Sequence, residues 1–516
     1  MKTLSDSPSP GDSAHHDLSS ENISKAIDSF VKLLGKENVI SDLDARQAHA
    51  ITKWSPAAPH QIPHIVVFPS STADVSAIMS TCSQRRIPVV GYSGGTSVPG
   101  AIAATRGGIC VDFKHMNKIL ATHKEDMDVV LQPAVDWQQL NAHLDSFGLF
   151  SPPDPGPGAM IGGMIALNCS GTNAYRYGPM KQWVVSMTVV MADGTTIVTR
   201  RRPRKSSAGY DLTSMFVGSE GTLGLVTEAV LKVTSVPKNV HVAVASFPTT
   251  INATNAATAL VHSGLPTEAL ELLDKHSMWA INQAGLSSKK WKESPTLFLK
   301  FAGLELAVQA QLEIFKEAAK ENHYEELEIS ARTDDIEASW GARKNIGPSL
   351  MAMKTHPTDL FLSADAAVPI SRLADVIEET HQVIKDAGLA GSTLGHVGDG
   401  EFTPQVTAKI KLTLIVFSLS SYTLNYILTS GNFHTVIVCP ESQRNKGEDI
   451  LNWVQKRAIQ VEGTVTGEHG VGFKLRDHLV DEVGVDAVSV MKKIKEALDP
   501  GNILNPDKVF RLENGI

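Results

Sequence analysis

Three glycine-rich stretches in the first 225 residues constrain this chain more than any other feature. They are residues 91–100 (GYSGGTSVPG), 152–166 (PPDPGPGAMIGGMIA) and 218–224 (GSEGTLG). The first follows a strand-like run, residues 87–92 (IPVVGY). Glycine lets the backbone come close to a ligand, and successive free N–H groups form a nest for an anion. The first stretch is neither GxGxxG nor GxxxxGK[ST], so the Rossmann and P-loop solutions fail. Each stretch alone reads as tight-turn punctuation. Three within one strand-rich region point to backbone meeting a large, flat, anionic cofactor.

The surrounding pattern is mixed. Strands are predicted at 64–69, 87–92, 109–113, 129–132, 184–191, 195–199 and 225–233. Helices are predicted at 23–36, 73–86 and 137–147, the second capped by Ser71 or Thr72 and the third by Asp136. From about Asn239 the texture changes to longer helices (250–263, 304–321, 370–387) between strands (241–246, 296–301, 360–364). A boundary therefore falls near 236–240, and 516 residues exceed what one compact core holds. Lys+Arg 47 against Asp+Glu 55 gives a net charge of −8, which excludes a nucleic-acid coat or a polybasic membrane binder. The cysteines, Cys82, Cys110, Cys169 and Cys439, form no CxxC pair, so a zinc ribbon or dithiol redox motif is excluded. Residues 1–22 read as a disordered tail, and residues 1–20 show neither a secretory nor a mitochondrial presequence.

The order of motifs carries a resemblance. PVVGYSGGTSVPGA, PPDPG…IGGMIA and RPRKSSAGYDLTSMFVGSEGTLGLVTEAVLKV are followed by SADAAVPISRL (363–373), GHVGDG (395–400), NFHTVIVCPE (432–441), GTVTGEHGVGFKL (463–475) and ALDPGNILNPDKVF (497–510). This series resembles the FAD-linked oxidases of the vanillyl-alcohol-oxidase type, and within them the cytochrome-type D-lactate dehydrogenases. The likeness spans roughly residues 60–510. It implies an α+β flavoprotein: a PCMH-type FAD-binding domain over 23–238, an α+β cap over 239–469, and a segment over 470–516 returning to the FAD domain. The basic run Arg200–Lys205 then lies in a loop of the flavin domain.

The resemblance also implies site residues. Gly94, Gly95, Thr96 and Ser97 would hold the FAD pyrophosphate, with Gly162, Gly163, Ser219, Glu220 and Gly221 near the pyrophosphate or ring. Residues 91–100 contain no histidine, so the FAD is expected to be non-covalent. His396, His434 and Glu468 would bind a divalent metal such as Zn²⁺ or Mn²⁺, a ligand set that leaves open positions. His469 would abstract the hydroxyl proton, and Arg343 would grip the substrate carboxylate. The expected reaction is oxidation of a D-2-hydroxy acid, D-lactate to pyruvate foremost, with electrons passed to cytochrome c or another carrier. D-2-hydroxyglutarate, a tailoring oxidation in a specialised pathway, or a catalytically disabled flavin binder are the alternatives. Relatives imply a mitochondrial setting, with the cytoplasm as the alternative.

One stretch departs from the family. There the motif runs GHVGDGNFH unbroken; here GHVGDG stops at Gly400 and NFH resumes at Asn432. The intervening 401–430 is β-prone, and Leu412–Leu428 carries no charge. A buried insertion fits this stretch better than a membrane span, given its Ser, Thr and Asn content. Removing 31 residues restores the motif in frame, and the codons permit splice sites, so a retained intron is the expectation.

Overall fold

The structure, a computed structural model, describes residues 16–52, 54, 61–356, 358–397 and 430–512. The stretch 401–429, read above as a retained intron, lies outside the described residues.

The chain begins with an amphipathic helix, Ser20–Leu34. Ser19 caps it by accepting from Asn22 N, and Gly35, at φ 89°, ends it. Its apolar stripe buries Ile23, Ala26 and Phe30. Order thus starts earlier than composition implied. Asp17 N donates to Arg86 O at 3.1 Å, and His16 Nε2 lies 3.1 Å from Asn502 O, so 16–22 are tied to the body rather than a free tail.

A four-stranded sheet follows in the order Val39–Ile40, Ile65–Val67, Ile109–Asp112, Val89–Tyr92, with the last three parallel. Helix Thr72–Arg85 covers it, capped by Ser71 Oγ on Asp74 N at 3.1 Å. A five-stranded antiparallel sheet runs Ile119–His123, Asp128–Leu131, Leu225–Lys232, Val184–Val190, Thr196–Val198. Helix Trp137–Asp145 packs beside it, with Asp136 Oδ1 accepting from Gln138 N and Gln139 N. Arg202 pairs with Asp126 and Asp128 at 2.7 and 2.8 Å, which folds the basic run into a surface loop.

The second body is a seven-stranded antiparallel sheet. Its order is Glu326–Ser330, His241–Ser246, Thr296–Phe301, Ala269–Leu273, Ala390–Val397, Ser430–Cys439, Leu360–Pro369. Helices Thr250–His262, Glu305–Glu321, Ile370–Asp386 and Arg444–Gln460 contribute to one core, on the face carrying Phe301, Phe433 and Val368. The opposite face packs on helices Lys275–Ala284 and Ile346–Met351 and looks towards the first body. The C-terminal stretch returns to the first body. Val89 N donates to Ile503 O, Asn505 N donates to Val89 O, and Ile503 and Leu504 join the core of the four-stranded sheet. No helix among the described residues is long and apolar enough to cross a membrane.

Candidate active site

A cavity of about 680 Å³ lies between the glycine stretches and the second sheet. The first wall is backbone. Gly94, Gly95, Thr96, Ser97, Gly162 and Gly163 line it, and Ser219, Glu220 and Gly221 extend it. A Cβ on Gly94 would stand 2.5 Å from Gly158 O, and one on Gly162 would stand 2.6 Å from Pro133 Cβ. Only glycine lets these loops close on each other. The opposite wall carries Arg343, His396, His434, Glu468 and His469. Every residue singled out from the sequence therefore lines this one cavity.

Strand register builds the polar wall. Glu271 stands directly opposite His396, and Asp365 directly opposite His434, while His396 faces Asn432, two residues from His434. Side chains two apart on neighbouring strands share a face, so Glu271, His396, His434 and Asp365 form a row across four strands. His396 Nδ1 lies 2.7 Å from Glu271 Oε1, which turns its Nε2 towards Glu468 Oε1 at 3.5 Å. His434 Nε2 lies 3.1 Å from the same oxygen. Two imidazole nitrogens and one carboxylate oxygen thus converge within 4.8 Å of one another. The second oxygen of Glu468 accepts from Ser170 Oγ. This donor set fits a divalent cation, with the Glu271 carboxylate behind His396 in the manner that orients a metal-bound imidazole.

The electrostatics follow from burial and pairing. Burial works against a charge on His396, but the carboxylates of Glu271 and Glu468 outweigh it and raise its pKa well above the usual value. Burial also opposes charge on Glu468, yet His396 and His434 hold it well below the usual carboxylate range. His469 differs: burial dominates and lowers its pKa. Its ring stacks on His434 with centroids 5.0 Å apart, and its Nε2 lies 3.7 Å from Glu468 Oε1.

The loop carrying Glu468 and His469 is moulded by Asp365. One oxygen of Asp365 accepts from Gly467 N, Glu468 N and His469 N at 2.9, 2.9 and 3.0 Å, and from Thr466 Oγ1 at 2.9 Å. Asp365→Ala is expected to cost about 3 kcal/mol or more, since each N–H left without an acceptor costs roughly 1–3 kcal/mol. Asp365→Asn keeps an acceptor oxygen and is expected to lose less. Thermal unfolding of both variants checks the order, and equal losses would remove the loop-holding role.

Three of these side chains also have partners within the protein. Arg343 is buried, and its Nε and Nη2 donate to Glu271 Oε2 at 3.0 and 2.8 Å. One edge of its fork is therefore committed to Glu271, because a guanidinium in a low-dielectric site needs a partnered charge. Only the remaining N–H groups can meet a ligand in the cavity. The Glu220 carboxylate accepts from Val471 N and Gly472 N at 2.7 and 2.8 Å, so it braces the loop after His469. Burial raises its pKa to about 7. The Ser219 hydroxyl donates to Phe216 O, within its own turn.

Glu271 and Asp365 were not singled out from the sequence. Glu271 sits in ALELL, a five-residue strand buried throughout. A carboxylate inside a wholly apolar run was the available signal, since such a group is rarely buried without a partner.

Residues 236–509 match the family described as FAD linked oxidases, C-terminal domain, and residues 63–200 match the FAD binding domain. The chain is 43% identical over 486 residues to the mitochondrial D-lactate dehydrogenase (cytochrome) of Kluyveromyces lactis, covering 92% of this chain and 79% of that one. It is 39% identical over 505 residues to the mitochondrial D-lactate dehydrogenase (cytochrome) 1 of Saccharomyces cerevisiae, with 95% and 80% covered. A solved 4-ethylphenol oxidase from Gulosibacter chungangensis, in complex with isoeugenol, aligns at a TM-score of 0.77 with 16% identity, covering 95% of this chain and 98% of that one. That last likeness is one of fold. Together the two matched domains and the long, well-covered alignments show that this chain belongs to the FAD-linked oxidase family, which includes the cytochrome-type D-lactate dehydrogenases.

Proposed function

We propose that this chain is an FAD-dependent dehydrogenase of a D-2-hydroxy acid, with D-lactate, oxidised to pyruvate, as the principal substrate. The observation that carries this reading is the meeting of two walls: glycine backbone on one side, and His396, His434, Glu468, His469 and Arg343 on the other. The first wall fits a pyrophosphate and ring system, because Gly94, Gly95, Gly162 and Gly163 line the cavity. With no histidine in residues 91–100, the FAD is held non-covalently. When bound, the flavin supplies the two-electron acceptor for the hydride.

The chain's own residues supply alignment and proton transfer. The N–H groups of Arg343 not engaged by Glu271 hold the substrate carboxylate, which fixes the carbon bearing the hydride. His469 takes the hydroxyl proton at Nε2, the ring nitrogen beside Glu468 Oε1. The lowered His469 pKa favours the neutral imidazole, which has one ring nitrogen free to accept a proton. A Zn²⁺ or Mn²⁺ ion held by His396, His434 and Glu468 would lower the pKa of the substrate hydroxyl. Glu271 keeps the His396 imidazole oriented. The electrons pass on to a cytochrome-c-type carrier in a mitochondrial setting, a reading supported by the names of the relatives.

Lys344 lines the same cavity as Arg343, which favours a second reading in which a dicarboxylate such as D-2-hydroxyglutarate is the substrate. Steady-state reduction of cytochrome c with D-lactate, L-lactate and D-2-hydroxyglutarate separates them. D-lactate is expected to give the highest kcat/KM. A clear preference for D-2-hydroxyglutarate would replace the principal reading, and turnover with L-lactate alone would overturn both.

A further inference from the structure

Asp274, His276 and His381 form a second cluster of metal-ligating side chains, apart from the cavity wall described above. Asp274 follows the strand Ala269–Leu273 and caps the helix Lys275–Ala284, which carries His276. His381 projects from the helix Ile370–Asp386. The cluster stands three residues beyond Glu271, about 10 Å along the chain.

The carboxylate of Asp274 is buried and already satisfied. Its Oδ1 accepts from Ser277 N and Ser392 Oγ at 2.6 and 2.9 Å; its Oδ2 accepts from Thr393 N at 2.7 Å and lies 2.8 Å from His381 Nε2. His276 stands farther off: its Nδ1 lies 3.7 Å from Oδ2, beyond ordinary hydrogen-bond length. Yet it is turned to the same oxygen, and its ring meets that of His381 edge to face with centroids 5.8 Å apart. The three ligand atoms lie within 4.8 Å of one another, a spread like that of His396, His434 and Glu468. The His276 side chain is 49% exposed and, with His381, opens on a separate cavity of about 810 Å³. Coordination positions not filled by protein would therefore face water.

We propose that Asp274, His276 and His381 form a second divalent-metal site, selective for Zn²⁺ and neighbouring late transition metals. Two imidazoles select against Mg²⁺ and Ca²⁺, and the absence of a thiolate leaves an N₂O set that suits Zn²⁺. The ion would bridge the helices Lys275–Ala284 and Ile370–Asp386 beside the strands that carry Glu271 and His396. It binds only the folded chain, so it stabilises the cap.

The test is equilibrium dialysis with Zn²⁺ alone, on the full chain, with metal counted per protein. His276→Ala is the main variant, since His276 is exposed and stands beyond ordinary hydrogen-bond length from Asp274. It is expected to lose one equivalent of Zn²⁺, or to bind it about tenfold more weakly or worse, while substrate oxidation is unchanged. His381→Asn is expected to lose the same equivalent. Zn²⁺ is also expected to raise the unfolding temperature of the wild type more than that of His276→Ala. Identical stoichiometry, affinity and thermal shift in wild type and His276→Ala would overturn the second site.

Discussion

His469→Gln is expected to slow substrate oxidation by about 10²–10⁴-fold, the usual contribution of a positioned proton acceptor. The flavin content and the fold are expected to stay the same. The His469 ring makes no hydrogen bond among the described residues; its nitrogens lie 3.8 Å from Asp365 and 3.7 Å from Glu468. What anchors the residue is its backbone N–H on Asp365, which glutamine retains. The loss should therefore fall on kcat rather than on KM, because carboxylate binding is proposed to rest with Arg343. Rapid-mixing measurement of the reductive half-reaction checks this. A variant that reduces its flavin at the wild-type rate would assign the proton to another group.

Deleting residues 401–431 is expected to give a protein that folds, is more soluble and holds more metal. The ladder motivates this. Val397 pairs with Gly431 and His396 with Asn432, so the chain leaves one strand and enters the next at adjoining rungs. Removing 401–431 puts Gly400 in the place of Gly431 and leaves Gly398-Asp399 as the link. Two residues with glycine first is the length and composition of a tight hairpin turn. Going from residues 398–430 to a two-residue link shortens the loop by roughly four doublings, worth on the order of 2 kcal/mol in closure entropy. The deletion also removes a long, uncharged, β-prone run of the kind that promotes aggregation. His396 and His434, on the two strands so joined, would then be fixed by one short turn. Thermal unfolding, soluble yield and metal content of the deletion variant are the measurements. A variant that misfolds, or loses metal, would show that 401–431 belongs to the working protein. Sequencing the mature transcript across this region tests the retained-intron origin separately.

The local features of this protein were legible and the long-range ones were not. Helix starts at Ser71 and Asp136 could be read because a cap is decided by a few neighbouring residues. The glycine stretches could be read because close backbone approach demands glycine. The strands Ala269–Leu273 and Ala390–Val397 were missed: both are central in the seven-stranded sheet, and burial on both faces erases the alternation that marks a strand. Glu271 was lost with its strand, and with it the reason Arg343 lies buried rather than free at a helix surface. Asp365 was visible within SADAAVP, but its role comes from contacts across about a hundred residues. The five residues of the polar wall were found through family motifs, and their meeting depends on strand register that no single motif encodes.

The proposed meeting of a flavin and a D-2-hydroxy acid between the two walls of the 680 Å³ cavity underlies every expectation above. Its most direct test is the visible absorbance of the purified, FAD-loaded protein before and after anaerobic addition of D-lactate, with L-lactate as the control. The yellow flavin is expected to bleach with D-lactate and to stay oxidised with L-lactate. A protein that takes up no FAD, or whose bound flavin stays oxidised with every D-2-hydroxy acid offered, would contradict it.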